Sequence, residues 1–518
     1  MKRIGIDVGG TNTDAVLIDK STVLAAVKSP TTSDVMSGVV NSIHHLVKAQ
    51  GDAPLDIDAV MIGTTHFTNA VVERARLDRV AAIRIALPAA ASLPPMVDWP
   101  ADLRASVNPL SFMVAGGHEY DGRPLVPLDR DAIRDAALRI RDAGITAVGI
   151  TALFSPLTAE CEVAAAEIVA SVLPEARITL SHRLGRIGLL ERENVTLLNA
   201  SLQSLGQSTV EAFRNALASV GIRAPFYLTQ NDGTVVLAEV AAANPVYSFA
   251  SGPTNSMRGA AFLSGRTDGM VIDVGGTTSD IGCLVNGFPR EANNIVEVGG
   301  VRTLFRMPDL LPMALGGGTI VDPETGKIGP RSVGYRITEK ALVFGGDTLT
   351  TTDIAVAAGI VEIGDRDRVK HLDRSLVESR LKGIHQMIED GVDRMKTSAG
   401  DMPIIVVGGG AFLVPRELAG VSEVVHVEHA GVANALGAAM AQVSGEVDQV
   451  FSGMSRDAAL AAAQEIATQR AVEAGADPST INLVDAEDLP IAYLPGDARR
   501  VRARVVGSIG TPGMKLVA

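Results

Sequence analysis

The chain has 518 residues, of which 47% are hydrophobic and 20% are charged, so it can bury several cores and is not intrinsically disordered. Its 46 Lys and Arg residues against 59 Asp and Glu residues give a formal charge of −13, which argues against nonspecific binding to nucleic acid or to an anionic membrane. The two cysteines, Cys161 and Cys283, are too few for a disulfide framework or a four-cysteine zinc site, and we expect both in the core.

The sequence indicates no export or membrane segment. It reaches Asp7 before an apolar signal core can form, and its longest apolar stretch, 80–97, is interrupted by Arg84 and three prolines. The expected compartment is therefore the cytoplasm.

Strands that alternate with helices in the first third of the chain predict an α/β architecture. Apolar runs at 3–8 and 15–19 flank a glycine-containing turn, which is the pattern of a β-hairpin. The elements that follow are recognised from helical spacing or from short apolar runs. They are helix 32–50, strand 60–62, helix 68–76, helix 129–143 and strand 147–153.

The C-terminal part continues this alternation. Strand 403–407 precedes three glycines, and the small-residue segment 431–443 predicts a helix. Beyond it, 457–473 predicts an alanine-rich helix, and 481–506 alternates like strands around a Pro-Gly turn at 495–496.

One segment of the N-terminal hairpin occurs twice in the chain. Residues 6–14, Ile-Asp-Val-Gly-Gly-Thr-Asn-Thr-Asp, return at 272–280 as Ile-Asp-Val-Gly-Gly-Thr-Thr-Ser-Asp, with seven of the nine positions identical. The spacing is far too long for a solenoid repeat. It predicts two related lobes that each contribute one loop to a shared cleft.

Both loops have the composition of a phosphate clamp. Paired glycines let backbone N–H groups approach phosphate oxygens, and threonine hydroxyls donate further hydrogen bonds. The aspartate before each loop, Asp7 or Asp273, can hold Mg²⁺ through bound water. One copy alone could equally be an ordinary glycine turn, but two matching copies favour the clamp. The candidate phosphate contacts are Gly9, Gly10, Thr11, Asn12, Thr13, Gly275, Gly276, Thr277 and Thr278.

Two other phosphate-binding motifs do not fit these loops. The chain contains no Gly-x-x-x-x-Gly-Lys-Ser/Thr, and the first loop leads into a strand rather than the helix of a dinucleotide fold. What remains is a two-lobed cleft of the actin/sugar-kinase/Hsp70 type, in which two hairpins hold the phosphates of ATP. Gly408, Gly409 and Gly410 are then expected against the adenosine. The predicted division is an N-terminal lobe (1–180), a second lobe (181–445) and a small C-terminal α+β segment (446–518).

Further short motifs follow one another along nearly the whole chain. They are Gly-Thr-Thr at 63–65 with 68–70 and 73–74, Ser-Gly-Pro at 251–253, Gly-Gly-Gly at 316–318, Gly-Gly at 345–346 with 350–353, the glycines at 408–410, and Ala-Tyr-Leu-Pro-Gly at 492–496. Together with the two loops, they resemble the hydantoinase A/5-oxoprolinase family of ATP-dependent cyclic-amide hydrolases.

The resemblance implies a reaction and a partner. Family members transfer the γ-phosphoryl group of ATP, with Mg²⁺, to the carbonyl oxygen of a cyclic amide or a related carbonyl. A separate hydantoinase B-like or other hydrolytic subunit is then expected to complete ring opening, and we expect an oligomer. Phosphoryl transfer depends mainly on positioning and charge neutralisation, so no covalent nucleophile is required.

The same resemblance assigns roles by position. Asp7 and Asp273 would be catalytic and would hold Mg²⁺-bound water. Asp14 and Asp280 would orient loop hydroxyls or lie near the transferred group, and they are equally consistent with turn-capping carboxylates. The candidates for the acceptor pocket are Thr64, Thr65 and Asn69, which could instead cap a helix.

The chain departs from the family pattern at two places. Many relatives have a histidine immediately before Gly-Thr-Thr, where this chain has Ile62, and His66 is expected to be a helix-start residue without a catalytic role. Relatives often continue Ser-Gly-Pro with Ala-Gly-Gly, where this chain has Thr254, Asn255 and Ser256. The second departure concerns the identity of the substrate more than ATP binding.

Two histidines and four arginines form further local patterns in the C-terminal part of the chain. His426 and His429 follow a predicted strand and would face different directions, which disfavours a metal site. Four arginines at 499, 500, 502 and 504 alternate with apolar residues, so we expect a strand with one solvated face, with contact to an acidic partner left open.

Three functions fit the sequence. The favoured one is the ATP-dependent subunit of a ring-opening amidohydrolase, within which a carboxylase subunit that activates a ketone or bicarbonate stays open. The second is a small-molecule kinase of the same fold that acts on a hydroxyl group. The third is an ATP-driven conformational protein, which is ranked last because nothing resembling a peptide-binding domain follows the second lobe.

Overall fold

The structure is a computed structural model that describes residues 1–9, 12–30, 35–49, 56–184, 187–292, 296–304, 307–396, 400–491 and 497–510. Its strands are β1 (Lys2–Val8), β2 (Asn12–Asp19), β3 (Thr22–Pro30), β4 (Ala59–Thr64), β5 (Val80–Leu87), β6 (Leu110–Ala115), β7 (Ala147–Ala152), β8 (Arg177–Leu180), β9 (Phe226–Thr229), β10 (Val235–Leu237), β11 (Gly269–Val274), β12 (Ser279–Val285), β13 (Phe288–Pro289), β14 (Val296–Val298), β15 (Val301–Thr303), β16 (Leu310–Met313), β17 (Thr319–Val321), β18 (Ile328–Ser332), β19 (Met402–Val407), β20 (Val421–His426), β21 (Val443–Phe451), β22 (Asn482–Pro490) and β23 (Arg499–Gly507).

Its helices are α1 (Val35–Ala49), α2 (His66–Val72), α3 (Ala101–Val107), α4 (Arg130–Asp142), α5 (Glu160–Val172), α6 (Ser181–Leu184), α7 (Leu189–Ser219), α8 (Ala238–Ala243), α9 (Ser251–Ser264), α10 (Ile337–Lys340), α11 (Thr351–Ala357), α12 (Arg374–Met395), α13 (Ala433–Met440) and α14 (Arg456–Glu473). The helices and strands predicted from the sequence are present, with ends that differ by a few residues. The Pro-Gly turn at 495–496 lies outside the described residues. Within the described ranges, no helix combines the length and the apolar character needed to cross a bilayer.

Two sheets form the framework, and each is built around the same three-strand unit. In the nine-stranded sheet, β1 pairs antiparallel with β2 and parallel with β4. In the six-stranded sheet, β11 pairs antiparallel with β12 and parallel with β19. The duplicated sequence therefore forms a duplicated hairpin with the same strand partners, as the repeat predicts.

Helices α9 and α13 connect the two sheets and pack on each other at very close range. Met257 and Ala260 of α9 pack against the six-stranded sheet, whereas Leu436 of α13 packs against β2 of the nine-stranded sheet. A Cβ added at Gly437 would lie 1.8 Å from the carbonyl oxygen of Asn255. Small residues are therefore required at this crossing, which explains the small-residue character of 431–443.

Gly437→Ala is expected to destabilise the protein although alanine is the better helix former. The added methyl group must displace the α9 backbone, and overpacking of this kind costs about 1–3 kcal/mol. Thermal unfolding of the variant measures the effect. Gly431→Ala is the matched control because a Cβ there meets nothing within 4 Å. Equal melting temperatures for the two variants would contradict the close packing.

A four-stranded sheet, ordered β6-β5-β7-β8, extends the N-terminal region and is covered by α4 and α5. Cys161 lies in this packed layer, and Cys283 lies in β12 of the six-stranded sheet. Both thiols are free and buried, so their predicted core positions are confirmed.

The C-terminal strands join the nine-stranded sheet, because β23 pairs with both β21 and β22. Helix α14 covers them with a stripe of alanines at every fourth residue. Strands β9 and β10 also belong to this sheet, so the chain crosses between the sheets more often than a division at residues 180 and 445 implies. Those domain boundaries stay predictions.

The predicted solvated face of β23 is wrong. Because β23 lies between two strands, its arginines face acids on its neighbours: Arg500 pairs with Asp448 at 2.7 Å, and Arg502 pairs with Glu487 at 2.9 Å. Arg504, which is 7% exposed, pairs with Glu291 at 3.4 Å, beyond β13 in the six-stranded sheet. The acids that the arginines contact thus belong to this same chain.

Candidate functional site

The first hairpin places Asp7 in a buried position at the end of β1. Its backbone is closed by Gly9, whose N–H donates to the carbonyl oxygen of Asn12 at 3.0 Å. Asp7 Oδ2 accepts a hydrogen bond from Asn434 Nδ2 at 2.8 Å. Burial, followed by the nearby carboxylate of Asp14, raises the pKa of Asp7 to about 7. Ionisation of Asp7 is therefore unfavourable in this site, because its charge would be buried close to that of Asp14.

Asp14 faces Asp7 across the hairpin and forms an ion pair with Lys28. The two aspartates are register partners, and Asp14 is also the register partner of Lys28 in β3. Lys28 Nζ lies 2.7 Å from each carboxylate oxygen of Asp14 and donates to the carbonyl oxygen of Gly431 at 3.0 Å. Burial raises the pKa of Asp14, and Lys28 opposes that rise. Lys28 is a candidate site residue that the sequence analysis missed.

The second hairpin repeats this geometry. Asp273 and Asp280 are register partners, and the N–H of Gly275 donates to the carbonyl oxygen of Thr278 at 2.9 Å. Burial, with a contribution from Asp273, raises the pKa of Asp280 to about 6. The tip, from Gly276 to Thr278, is exposed to solvent, so a ligand can reach its N–H and hydroxyl groups.

The two hairpins are close enough for their charges to interact. Asp273 raises the pKa of both Asp7 and Asp14, and Lys28 opposes the rise that burial causes in the pKa of Asp273. The structure thus brings the four predicted aspartates and one lysine into a single cluster. Two of these carboxylates are buried and two are half-buried. A cluster of this kind with raised pKa values indicates a functional site, because removing several like charges from water is unfavourable without a ligand.

Two glycine-rich segments pack against the second hairpin and donate hydrogen bonds to its backbone. Gly408 has a φ of 91°, and a Cβ there would lie 2.3 Å from Asp273 Oδ1, so only glycine fits. The N–H of Gly410 donates to the carbonyl oxygen of Val274 at 2.7 Å, and the N–H of Gly317 donates to that of Gly275 at 3.0 Å. Gly408–Gly410 therefore adjoins the hairpin, and its contact with adenosine stays a prediction.

The predicted acceptor residues follow directly from strand β4. Thr64 is the register partner of Val8 in β1, so it lies beside the first hairpin. Its hydroxyl contacts His66 Nδ1, and burial lowers the pKa of His66 to about 4, which keeps that ring neutral. Asn69 Nδ2 donates to Thr65 Oγ1 at 3.3 Å, and the Thr65 side chain makes no capping bond to the helix backbone. Thr64 thus adjoins the first hairpin, and the role of all three residues in binding a substrate stays a prediction.

Some predicted residues lie outside the described part of the chain, namely Gly10, Thr11 and the motif at 492–496. Over the residues that are described, no group of three or more His, Cys, Asp or Glu side chains could ligate a metal. Asp7 and Asp273 supply hard oxygen donors from opposite hairpins. This donor set fits Mg²⁺ that is held mainly by phosphate oxygens and water.

The chain belongs to the hydantoinase/oxoprolinase family. Residues 3–173 match the hydantoinase/oxoprolinase N-terminal region, and residues 192–396 match the hydantoinase/oxoprolinase family proper. The resemblance inferred from the short motifs is therefore confirmed.

Curated relatives include two enzyme subunits. The chain is 25% identical over 387 residues to caprolactamase subunit alpha of Pseudomonas jessenii, which covers 70% of this chain and 55% of that protein. It is 26% identical over 396 residues to the acetophenone carboxylase gamma subunit of Aromatoleum aromaticum, which covers 69% of this chain and 53% of that protein. The chain spans only 53% to 62% of the length of the curated relatives it matches.

The structure is similar to that of the ATP-dependent caprolactamase from Pseudomonas jessenii, with a TM-score of 0.76 at 19% identity, covering 100% of this chain and 89% of that chain. This likeness shows a shared fold, and the predicted α/β architecture with duplicated hairpins and a small C-terminal α+β part is confirmed. Its assignment to the actin/sugar-kinase/Hsp70 type stays a prediction.

Proposed function

We propose that this chain is the ATP-dependent subunit of an enzyme that opens a cyclic amide. The observation that carries the proposal is the convergence of two matching hairpins. It brings two buried aspartates, two half-buried aspartates and Lys28 together beside the exposed tip of the second hairpin. The chain's relatives add that a caprolactamase and a carboxylase use subunits of this family.

In the proposed reaction, the amide carbonyl oxygen attacks the γ-phosphorus of ATP, the bond to the β–γ bridging oxygen breaks, and ADP leaves. The exposed N–H group of Gly276 and the hydroxyls of Thr277 and Thr278 would orient the phosphates. Mg²⁺, when bound, neutralises charge on the triphosphate. Water then adds to the activated carbon on a partner subunit, and the C–N bond breaks to release the ring nitrogen as an amine and leave an acyl phosphate. A second water hydrolyses this acyl phosphate to the carboxylate and free phosphate.

Lys28 would supply positive charge where the transferred phosphoryl group passes between the hairpins. Thr64 and Asn69 would border the acceptor because they follow β4, the neighbour of β1 in the sheet. The neutral ring of His66 beside Thr64 would keep that hydroxyl oriented. Asp14 would hold Lys28 in place rather than contact the acceptor.

A carboxylase subunit is the second candidate, and the match to acetophenone carboxylase favours it. It would use the same phosphoryl transfer to activate a ketone or bicarbonate. A small-molecule kinase is the further alternative, and it would give a stable phosphorylated product without a partner.

One assay separates these functions. ATP consumption is measured against hydantoins, lactams, 5-oxoproline and simple ketones, with and without the protein encoded beside this chain as candidate partner. We expect turnover that depends on a cyclic amide and ring opening that depends on the partner. Turnover at full rate without any carbonyl compound would contradict the proposal, and a stable phosphate ester seen by phosphorus NMR would indicate a kinase.

A further inference from the structure

The Asp7 carboxylate lies between side-chain amides from two different helices. Asn434, on α13, donates Nδ2 to Asp7 Oδ2 at 2.8 Å. Asn255, on α9, approaches from the other side: a Cβ added at Gly63 would lie 2.5 Å from both Asn255 Nδ2 and Asp7 Oδ1. The absence of a side chain at Gly63 therefore allows the second amide to face the carboxylate.

Asn255 is fully buried and only partly satisfied. Its Nδ2 also donates to Thr229 Oγ1 at 3.1 Å, at the end of β9. Its Oδ1 is buried without a hydrogen-bond partner among the described residues. A buried acceptor beside a carboxylate is normally satisfied by an ordered water molecule. Such a water would lie next to Asp7, where water bound to Mg²⁺ is expected.

The next residue along α9 faces the other hairpin. Ser256 is 3% exposed, and its hydroxyl lowers the pKa of Asp273, so it lies beside that carboxylate. Adjacent positions of one helix thus contact the two aspartates that precede the two loops. Since α9 and α13 also pack on each other through Gly437, the amides on both sides of Asp7 are held by one rigid crossing.

We propose that Asn255 and Asn434 are positioning residues for Asp7 and that Ser256 is a positioning residue for Asp273, so that helix α9 fixes how far apart the two carboxylates lie. The inference rests on the proposed function. It assigns a role in the nucleotide site to Asn255 and Ser256, which stand at the Gly-Gly positions of the Ala-Gly-Gly that relatives often carry. The alternative is a purely structural role, in which Asn255 merely links α9 to β9.

The experiment measures binding of a nonhydrolysable ATP analogue by calorimetry, with and without Mg²⁺. Asn434→Ala and Ser256→Ala are expected to weaken binding in the presence of Mg²⁺ by about tenfold or more, as for loss of a hydrogen bond to a charged group. They should raise the Mg²⁺ concentration needed for half-maximal binding and leave metal-free binding unchanged. Asn255→Ala should behave in the same way.

Asn482→Ala is the matched control, because that side chain is exposed on β22 at the sheet edge. If Asn255→Ala does not fold, Asn434→Ala and Ser256→Ala alone test the positioning role. Wild-type dependence on Mg²⁺ in both Asn434→Ala and Ser256→Ala would overturn the positioning role. Equal weakening with and without Mg²⁺ would also overturn it, because it would indicate a structural effect. No binding of the analogue by the wild-type chain would instead refute the proposed function itself.

Discussion

Asp7→Asn is expected to abolish ATP turnover and at the same time to raise the melting temperature. Turnover should fall by about a thousandfold, because the variant loses the carboxylate proposed to hold Mg²⁺, which neutralises the charge on the triphosphate. Stability should rise because ionised Asp7 is buried near Asp14 and Asp273, so its negative charge is unfavourable in the free protein. The asparagine keeps an oxygen that accepts from Asn434. Steady-state turnover and thermal unfolding without nucleotide or Mg²⁺ measure the two effects.

The sign of the stability change follows from linkage. The pKa of Asp7 is about 7 in the folded chain, above its ordinary value of 3.8, so the folded state binds the proton more tightly than the unfolded state. Stability from this group is present below about pH 4 and is lost as the pH rises to about 7 and above. The melting temperatures of Asp7→Asn and wild type should therefore differ little at pH 4 and differ most above pH 7.

Asp135→Asn is the control for this prediction, because Asp135 is exposed on α4 and should change neither property. Asp273→Asn should repeat the result for Asp7→Asn, since burial also raises the pKa of Asp273. Loss of stability in Asp7→Asn, or wild-type turnover, would contradict the prediction that the Asp7 carboxylate serves function at a cost in stability.

The duplicated hairpins are the part of the site that the sequence predicts best. A nine-residue repeat with a glycine turn between two apolar runs determines both the hairpin and its register, because two antiparallel strands and a short turn leave little freedom. Asp7 therefore had to face Asp14, and Asp273 had to face Asp280, as the structure confirms. The repeat also indicates two lobes that share a cleft, and this arrangement predicts that the two hairpins lie close together.

Other parts of the site depend on contacts that local sequence does not encode. Asn434 contacts Asp7 across 427 positions of the chain, and its neighbours predict only a small-residue helix. Lys28 could have been found by counting register into a third strand, but the sequence offered no hairpin signal for β3. The arginines of β23 were assigned to solvent because alternation reveals one face of a strand and not the strands on either side.

Lys28→Met is expected to change both properties in the same direction, lowering turnover and the melting temperature. Lys28 Nζ binds both oxygens of Asp14, whose side chain is only 4% exposed, and its removal leaves a buried carboxylate without its cation. We expect a loss of about 1–3 kcal/mol, in the range for an unsatisfied buried group, because Lys28 itself is 39% exposed. Turnover should fall by about a hundredfold or more if Lys28 faces the transferred phosphoryl group.

A second substitution separates the two effects of Lys28. Adding Asp14→Asn to Lys28→Met removes the unpaired carboxylate, so the melting temperature should recover while turnover stays low. The stability deficit of the single variant should also shrink as the pH falls, because burial raises the pKa of Asp14 and the carboxylate left without Lys28 then takes up a proton. Lys48→Met, at an exposed position of α1, is the matched control. Recovery of turnover together with stability in the double variant would show that Lys28 acts only by neutralising Asp14, with no contact to the phosphoryl group.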